Sequence, residues 1–290
     1  MQKNDFLSVN DLTAREVLQV IKLAKKLKLE WKNKGKHKKS WLKDKTLAMI
    51  FEKPSLRTRV SFEVGVTQLG GHAIYLGPSD IGLGKREAVS DVAIVTSSMA
   101  DIIMARTFKH EHVMELAKHS SVPVINALTD KEHPCQILAD LMTVWEVKGK
   151  FKGLKLVFVG DADNNVANSL KLGCELMGMD YVASGPNHIK NLKEAVKGAD
   201  VVVTDTWVSM GDEVEKQKRL KLFKPYQVDA KLMKLAKKEA IFMHCLPAYR
   251  GSEVSGQVID GKQSVVFQEA ENRLHVQKAL MLWLMGIKCG

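Results

Sequence analysis

The sequence is poor in several features, and each shortage excludes a class of protein. Its four cysteines, Cys135, Cys174, Cys245 and Cys289, are scattered and form no C-x-x-C pair. That argues against a disulfide framework and for a reducing compartment. No apolar run approaches the roughly eighteen residues needed to cross a bilayer. The opening MQKNDFLSVNDLTAREVLQV reads as amphipathic helix with no apolar signal core, so a soluble cytoplasmic protein without a membrane partner is the expectation. There is no internal repeat, Walker loop, zinc-finger spacing or RNA-binding aromatic motif. GDADNN (160–165) lacks the second and third glycines of a dinucleotide fingerprint, and no nicotinamide cofactor is expected.

Negative charge is scarce as well. The chain carries 44 basic against 33 acidic residues, a formal net charge of +11. Such a balance suits nucleic acid, an acidic membrane or a small anion without choosing among them. Part of the excess lies in KNKGKHKKSWLKDK (32–45), which reads as a solvated helix end and loop, with a polyanion contact as the weaker alternative.

What is present points to an α/β architecture. At 290 residues, with 45% hydrophobic and 27% charged residues, the chain predicts two domains. Residues 11–29 have helical spacing, capped by Asp11 or Thr13. TLAMIF, GGHAIYLG and DIIMAR read as strands, and HPCQILADLMTVWEVKG as a helix ending at Gly149. After GKFKGLK a second series begins: LKLVFVGDA, MDYVASGP, ADVVVTDTW and AIFMHCLP alternate with helical patterns such as NVANSLKLGCELMG and DAKLMKLAKKEA. Strands alternating with helices predict parallel sheets, whose ligands sit at the carboxyl ends of the strands.

Four stretches at such ends carry candidate chemistry. In FEKPSLRTRVSFE, Pro54 stops a strand and Ser55 can cap a helix whose first N–H groups favour an anion. Arg57 and Thr58 complete either an anion cradle or an ordinary helix start, and Arg59 braces structure. In EHPCQ, His133 and Gln136 lie one turn apart, suited either to a carbonyl and an NH2 group or to plain helix capping; no second ligand at metal spacing follows. DTWVSMG sets Asp205 at a strand end, for a substrate ammonium or as a loop cap. HCLP places Cys245 as a nucleophile or, equally, as a thiol that positions a substrate.

In this order SLRTR, HPCQ, DTWVSMG, HCLP and EAENR (269–273) resemble the ornithine carbamoyltransferases, and the likeness covers essentially the whole chain. SMG is the element that separates ornithine enzymes from aspartate and putrescine relatives. The resemblance implies two domains, each a parallel sheet flanked by helices, joined by long helices. Residues 1–146, completed by 271–290, would bind carbamoyl phosphate, and 147–270 L-ornithine. Ser55, Leu56, Arg57 and Thr58 would hold the phosphate with Arg106, while His133, Gln136 and Arg273 address the carbamoyl group. Asn165, Asp205, Ser209 and Met210 would hold ornithine. Cys245 would position its δ-amine, partnered by the Leu246 carbonyl, and both border the carbamoyl phosphate. Arg106, His133, Asp205 and Cys245 are the implied catalytic set. No cofactor, metal or covalent intermediate is implied. A homotrimer, or a multiple of trimers, is implied with GPSDIGLGKRE at the subunit contact.

Two departures from the family pattern stand out. Gly82 occupies the place of a glutamine that reaches a neighbouring subunit's carbamoyl phosphate. The connection through IKNL omits a helix and a strand of the second domain. Two other readings compete: a relative that carbamoylates putrescine, against which Asp205 with SMG argues, and a non-catalytic nucleic-acid binder, against which Arg57, His133, Cys245 and Arg273 argue.

Overall fold

The computed structural model describes residues 4–208 and 215–288. It divides into two units, residues 1–142 with 271–290, and residues 143–270. In the first unit a capping box between Thr13 and Glu16 starts α1 (Ala14–Lys34), and Gly35 in the left-handed region ends it. Asp11 instead closes a smaller box with Ser8 around the 3-10 turn Val9–Asp11. There follow β1 (Thr46–Phe51), α2 (Leu56–Gln68), β2 (His72–Leu76), α3 (Pro78–Ile81), α4 (Val89–Met99), β3 (Ile102–Arg106), α5 (His110–His119), β4 (Val124–Leu128) and α6 (Pro134–Lys148). β4 is a strand that the sequence patterns above do not single out. It is buried throughout and takes the backbone of Phe6 alongside it.

The second unit contains β5 (Lys155–Val159), α7 (Asn165–Met177), β6 (Asp180–Ser184), α8 (Leu192–Val196), β7 (Val201–Thr204), α9 (Lys216–Phe223), α10 (Ala230–Met233), β8 (Ile241–Met243), α11 (Gly256–Ile259) and the start of α12 (Val266–Leu284). DAKLMKLAKKEA yields only the single turn α10. The Leu235 carbonyl accepts from Gly198 N–H and the Lys237 N–H donates to the Ala199 carbonyl, so tertiary bonds take the backbone that a longer helix would use.

Both units wind the same way. The first sheet runs β2-β1-β3-β4 and the second β6-β5-β7-β8, all parallel. In each, the chain fills one side of its first strand and then crosses to the other. The turning points therefore lie between β1 and β3 and between β5 and β7, where an open α/β sheet leaves a crevice for ligand. Lys53–Thr58 follow β1, and Arg106 is the last residue of β3. Gly160–Asn164 follow β5, and Asp205 follows β7.

The Gly82 departure has a local explanation. Gly82 caps α3 with φ +58°, and a Cβ there would lie 2.9 Å from the Arg86 Cβ. This loop requires glycine at 82 as long as Arg86 stands beside it. The shortened connection is residues 185–191, which lead from the edge strand β6 straight into α8.

Candidate functional site

Unit 1 brings a set of cations to its turning point. Ser55 caps α2, its hydroxyl accepting from Thr58 N–H at 3.4 Å and donating to the Thr58 hydroxyl at 3.1 Å. Leu56 opens the helix with its side chain 75% exposed, so its backbone N–H is the group it offers an anion. Arg59 is braced by Glu63 and by the Tyr75 ring, its guanidinium carbon 4.2 Å from the centroid. Of the two arginines of the turn, Arg57 is the one not braced in this way. Arg106 ends β3 at a register shift, where Arg106 pairs with Leu128 after Ala105 pairs with Asn126. Such irregularities re-aim a side chain at a sheet edge.

Arg273, on α12, ties the unit 1 groups together. Its Nη1 donates to Gln136 Oε1 at 2.5 Å and lies 3.4 Å from His133 Nε2, and its Nη2 donates to the Thr58 hydroxyl at 2.9 Å. Arg106, His133, Gln136 and Arg273 are all buried. Gln136 also donates from Nε2 to Asp140 Oδ1 at 2.8 Å. Burial, then Arg273, Arg106, Lys53 and Arg57, hold His133 well below the ordinary imidazole range. A neutral imidazole adds a polar ring to this cation cluster without adding charge. Lys53, with its Nζ 4.8 Å over the Phe108 ring, is lowered to about 8 by burial first and by Arg106 next.

Unit 2 is built around acid and thiol. The Cys245 thiol donates to Asp205 Oδ1 at 3.2 Å, and Asn164, the cap of α7, lies 3.4 Å from Asp205 Oδ2. Asn165 is the first residue of the same helix. Ser209 and Met210 lie outside the described residues. Gly160, just before this turn, has φ +111°, and a Cβ there would sit 3.1 Å from the Trp207 indole nitrogen.

The HCLP turn is anchored through its backbone. Glu269 accepts from His244 N–H at 2.9 Å, and Glu253 Oε1 accepts from Tyr249 N–H at 2.5 Å. His244 Nδ1 accepts from Leu246 N–H at 2.9 Å, so its proton sits on Nε2, which faces Glu253 Oε1 at 3.2 Å. Leu246 is held at φ +59°, a backbone state that surrounding structure must impose on a branched residue. Asp205, His244 and Cys245 each bring a potential ligand atom within 4.8 Å of the others. With both His244 nitrogens committed, this trio reads as a device that aims Cys245 and the Leu246 carbonyl.

Asn164, Asp140, Lys53 and the His244–Glu253 pair escape the sequence reading above. Three of these carried a signal: Asp140 follows Gln136 by one helical turn, His244 stands beside Cys245, and Lys53 lies within FEKPSLRTRVSFE. Asn164 and Glu253 have none, because only the fold brings them to Asp205 and His244.

Known proteins share this organisation. Residues 4–146 match the family model "aspartate/ornithine carbamoyltransferase, carbamoyl-P binding domain", and residues 186–284 match the corresponding Asp/Orn binding domain. An ornithine carbamoyltransferase of Carboxydothermus hydrogenoformans is 51% identical over an alignment of 306 positions, gaps included, covering 97% of each chain. The solved ornithine carbamoyltransferase of Pyrococcus furiosus superposes with a TM-score of 0.94 at 46% identity, covering 99% of this chain and 98% of that one. That of Thermus thermophilus gives 0.89 at 40% identity, covering 98% and 100%. The chain belongs to the aspartate/ornithine carbamoyltransferase family.

Proposed function

We propose that the protein is an ornithine carbamoyltransferase, moving the carbamoyl group of carbamoyl phosphate to the δ-amine of L-ornithine to give L-citrulline and phosphate. The observation that carries this is the thiol–carboxylate pair of Cys245 and Asp205 at the turning point of unit 2, in a chain whose unit 1 gathers Arg57, Arg106 and Arg273 around a buried histidine. A carboxylate and a thiol suit an amine, and fixed guanidinium groups suit a phosphate that leaves as a dianion.

The phosphate is held by the N–H groups at the start of α2, the Ser55 and Thr58 hydroxyls, Arg57 and Arg106. Arg273 and neutral His133 polarise the carbamoyl carbonyl, and Gln136 keeps Arg273 in place. Ornithine's α-amino and α-carboxylate ends fall to Asn165, Asp205, Ser209 and Met210. Cys245 and the Leu246 carbonyl orient the δ-amine, which must shed a proton to become a nucleophile. The amine nitrogen then bonds to the carbamoyl carbon, and the bond from that carbon to the bridging oxygen breaks, the oxygen leaving with phosphate. The second amine proton leaves with the phosphate or solvent. No covalent enzyme intermediate, cofactor or metal enters; alignment and fixed charge supply most of the acceleration.

The functional assembly is a homotrimer or a multiple of trimers. Leu56, Val60 and Val64 form an i, i+4, i+8 apolar stripe on α2, 75%, 50% and 39% exposed, beside the anion cradle. A second copy of the chain would cover it. No described helix is long and apolar enough to cross a membrane, consistent with a cytoplasmic enzyme of arginine metabolism. Neither nucleic acid nor membrane is a partner in this reading.

Citrulline formation from carbamoyl phosphate, with L-ornithine, putrescine and L-aspartate as parallel acceptors, tests the assignment. Turnover with ornithine alone is expected; turnover with putrescine alone overturns it. Sedimentation at several concentrations tests the trimer.

A further inference from the structure

Two groups bonded to the Gln136 amide, Arg273 and Asp140, are each of one polarity. A guanidinium only donates, so Arg273 must face Gln136 Oε1; a carboxylate only accepts, so Asp140 must face Gln136 Nε2. The observed distances, 2.5 Å and 2.8 Å, fit this single orientation. Gln136 is fully buried, Asp140 2% exposed and Arg273 3% exposed. Water therefore does not compete for these bonds, and a flipped amide would set N–H against N–H and oxygen against oxygen. His133, Gln136 and Asp140 occupy positions i, i+3 and i+7 of one face of the α6 region, so the relay is built into one helix.

We infer that Asp140 is a positioning residue for the reaction: through the Gln136 amide it fixes the Arg273 guanidinium, and with it the Arg273 contacts to Thr58 and His133, in the geometry that receives carbamoyl phosphate. Asp140 touches no substrate in this scheme. It sends its negative charge toward Arg273 through one amide, while leaving the outer guanidinium edge to Thr58. The inference rests on the reading of unit 1 as the carbamoyl phosphate site.

The test exchanges the polarity of the pair. In Gln136→Glu alone, two carboxylates face each other in a buried space, and KM for carbamoyl phosphate rises at least about tenfold, while KM for ornithine changes little. Adding Asp140→Asn restores an amide–carboxylate bond of reversed sense, in which the carboxylate now at position 136 still accepts from Arg273. The double variant is expected to bind carbamoyl phosphate at least about threefold better than Gln136→Glu, the signature of direct coupling. A double variant no better than Gln136→Glu, with both folded by circular dichroism, overturns the inference.

A second readout stands apart from activity. With glutamine labelled by 15N, the Gln136 side-chain NH2 exchanges slowly in the free wild type and at least about tenfold faster in Asp140→Leu. Equal exchange rates in the two proteins contradict the relay even if every variant were inactive. Should the wild type fail to use carbamoyl phosphate while its Gln136 amide is protected by Asp140, the relay stands and the reading of unit 1 as that substrate's site falls.

Discussion

The groups at the turning point of unit 1 and those at the turning point of unit 2 differ in charge and in what they hold. In unit 1, side chains hold side chains: Arg273 joins Thr58, Gln136 and His133, residues far apart in sequence. In unit 2, side chains mostly hold backbone. Glu269, Glu253 and His244 bond the N–H groups of His244, Tyr249 and Leu246, while the side-chain pairs among the described residues, Cys245 and Asn164 with Asp205 and His244 with Glu253, are shorter-range supports of the same turn. In the proposed reading the first arrangement presets a positive site for an anion. The second shapes a loop and leaves an acid and a thiol at its end, which the proposed reading gives to an amine. A lesion in unit 1 should therefore be felt at one substrate, and a lesion in unit 2 at the other.

The largest effect is expected from Arg273→Ala, which removes the hub of unit 1. It should lower kcat/KM for carbamoyl phosphate by about a thousandfold, the scale of losing several charge-assisted contacts in a buried site. KM for ornithine, measured in the same steady-state series, should stay near the wild-type value. Asp205→Ala comes next, with kcat lower by about a hundredfold while the fold persists, the range typical of losing a positioned acid–base or orienting group. Near-normal turnover would remove Asp205 from the mechanism.

A smaller effect follows from pH. Lys53 loses its proton around pH 8 because it is buried and faces Arg106. Below that pH it adds positive charge to the anion site, and above it the charge is gone. KM for carbamoyl phosphate should rise as pH passes 8 in the wild type and stay flatter in Lys53→Arg, whose charge persists. Stability should respond at the other end of the scale. His133 and His275 are both held below the ordinary histidine range, His275 to about 4, mainly by burial. Groups lowered in this way leave stability unchanged above the unfolded value near 6.5 and erode it as pH falls below that value. Thermal melts from pH 7 to pH 5 should record the decline.

The smallest expected change is Gly82→Gln. Restoring the family's residue should lower stability by about 1–2 kcal/mol, since it imposes a left-handed backbone on glutamine and meets the Arg86 Cβ. Pairing it with Arg86→Ala should recover none of that loss in a denaturant titration, because the left-handed backbone and the Arg86 Cβ both remain.

Much of this was legible in the sequence because strand ends announce themselves. β1, β3, β5, β7 and β8 are apolar β-branched runs that empty into polar turns, and the turns hold Arg57, Arg106, Asp205 and Cys245. Helical spacing marked α1, α6 and α7. The lines of sight failed where partners come from distant segments. Nothing in EAENR predicts that Arg273 will bond Thr58, more than two hundred residues earlier. Asn164, one position before the expected Asn165, is near Asp205 because the cap of α7 and the end of β7 share a sheet edge. α10 stayed short because tertiary hydrogen bonds took its backbone, a competition invisible to periodicity.

The division of labour between the two units is tested most directly by titrating carbamoyl phosphate, without ornithine, into the wild type, Arg57→Ala and Asp205→Ala by calorimetry. Binding by Asp205→Ala within about threefold of the wild type, with Arg57→Ala weakened by about a hundredfold, is the predicted result. Loss of carbamoyl phosphate binding in Asp205→Ala, or its full retention in Arg57→Ala, would contradict it.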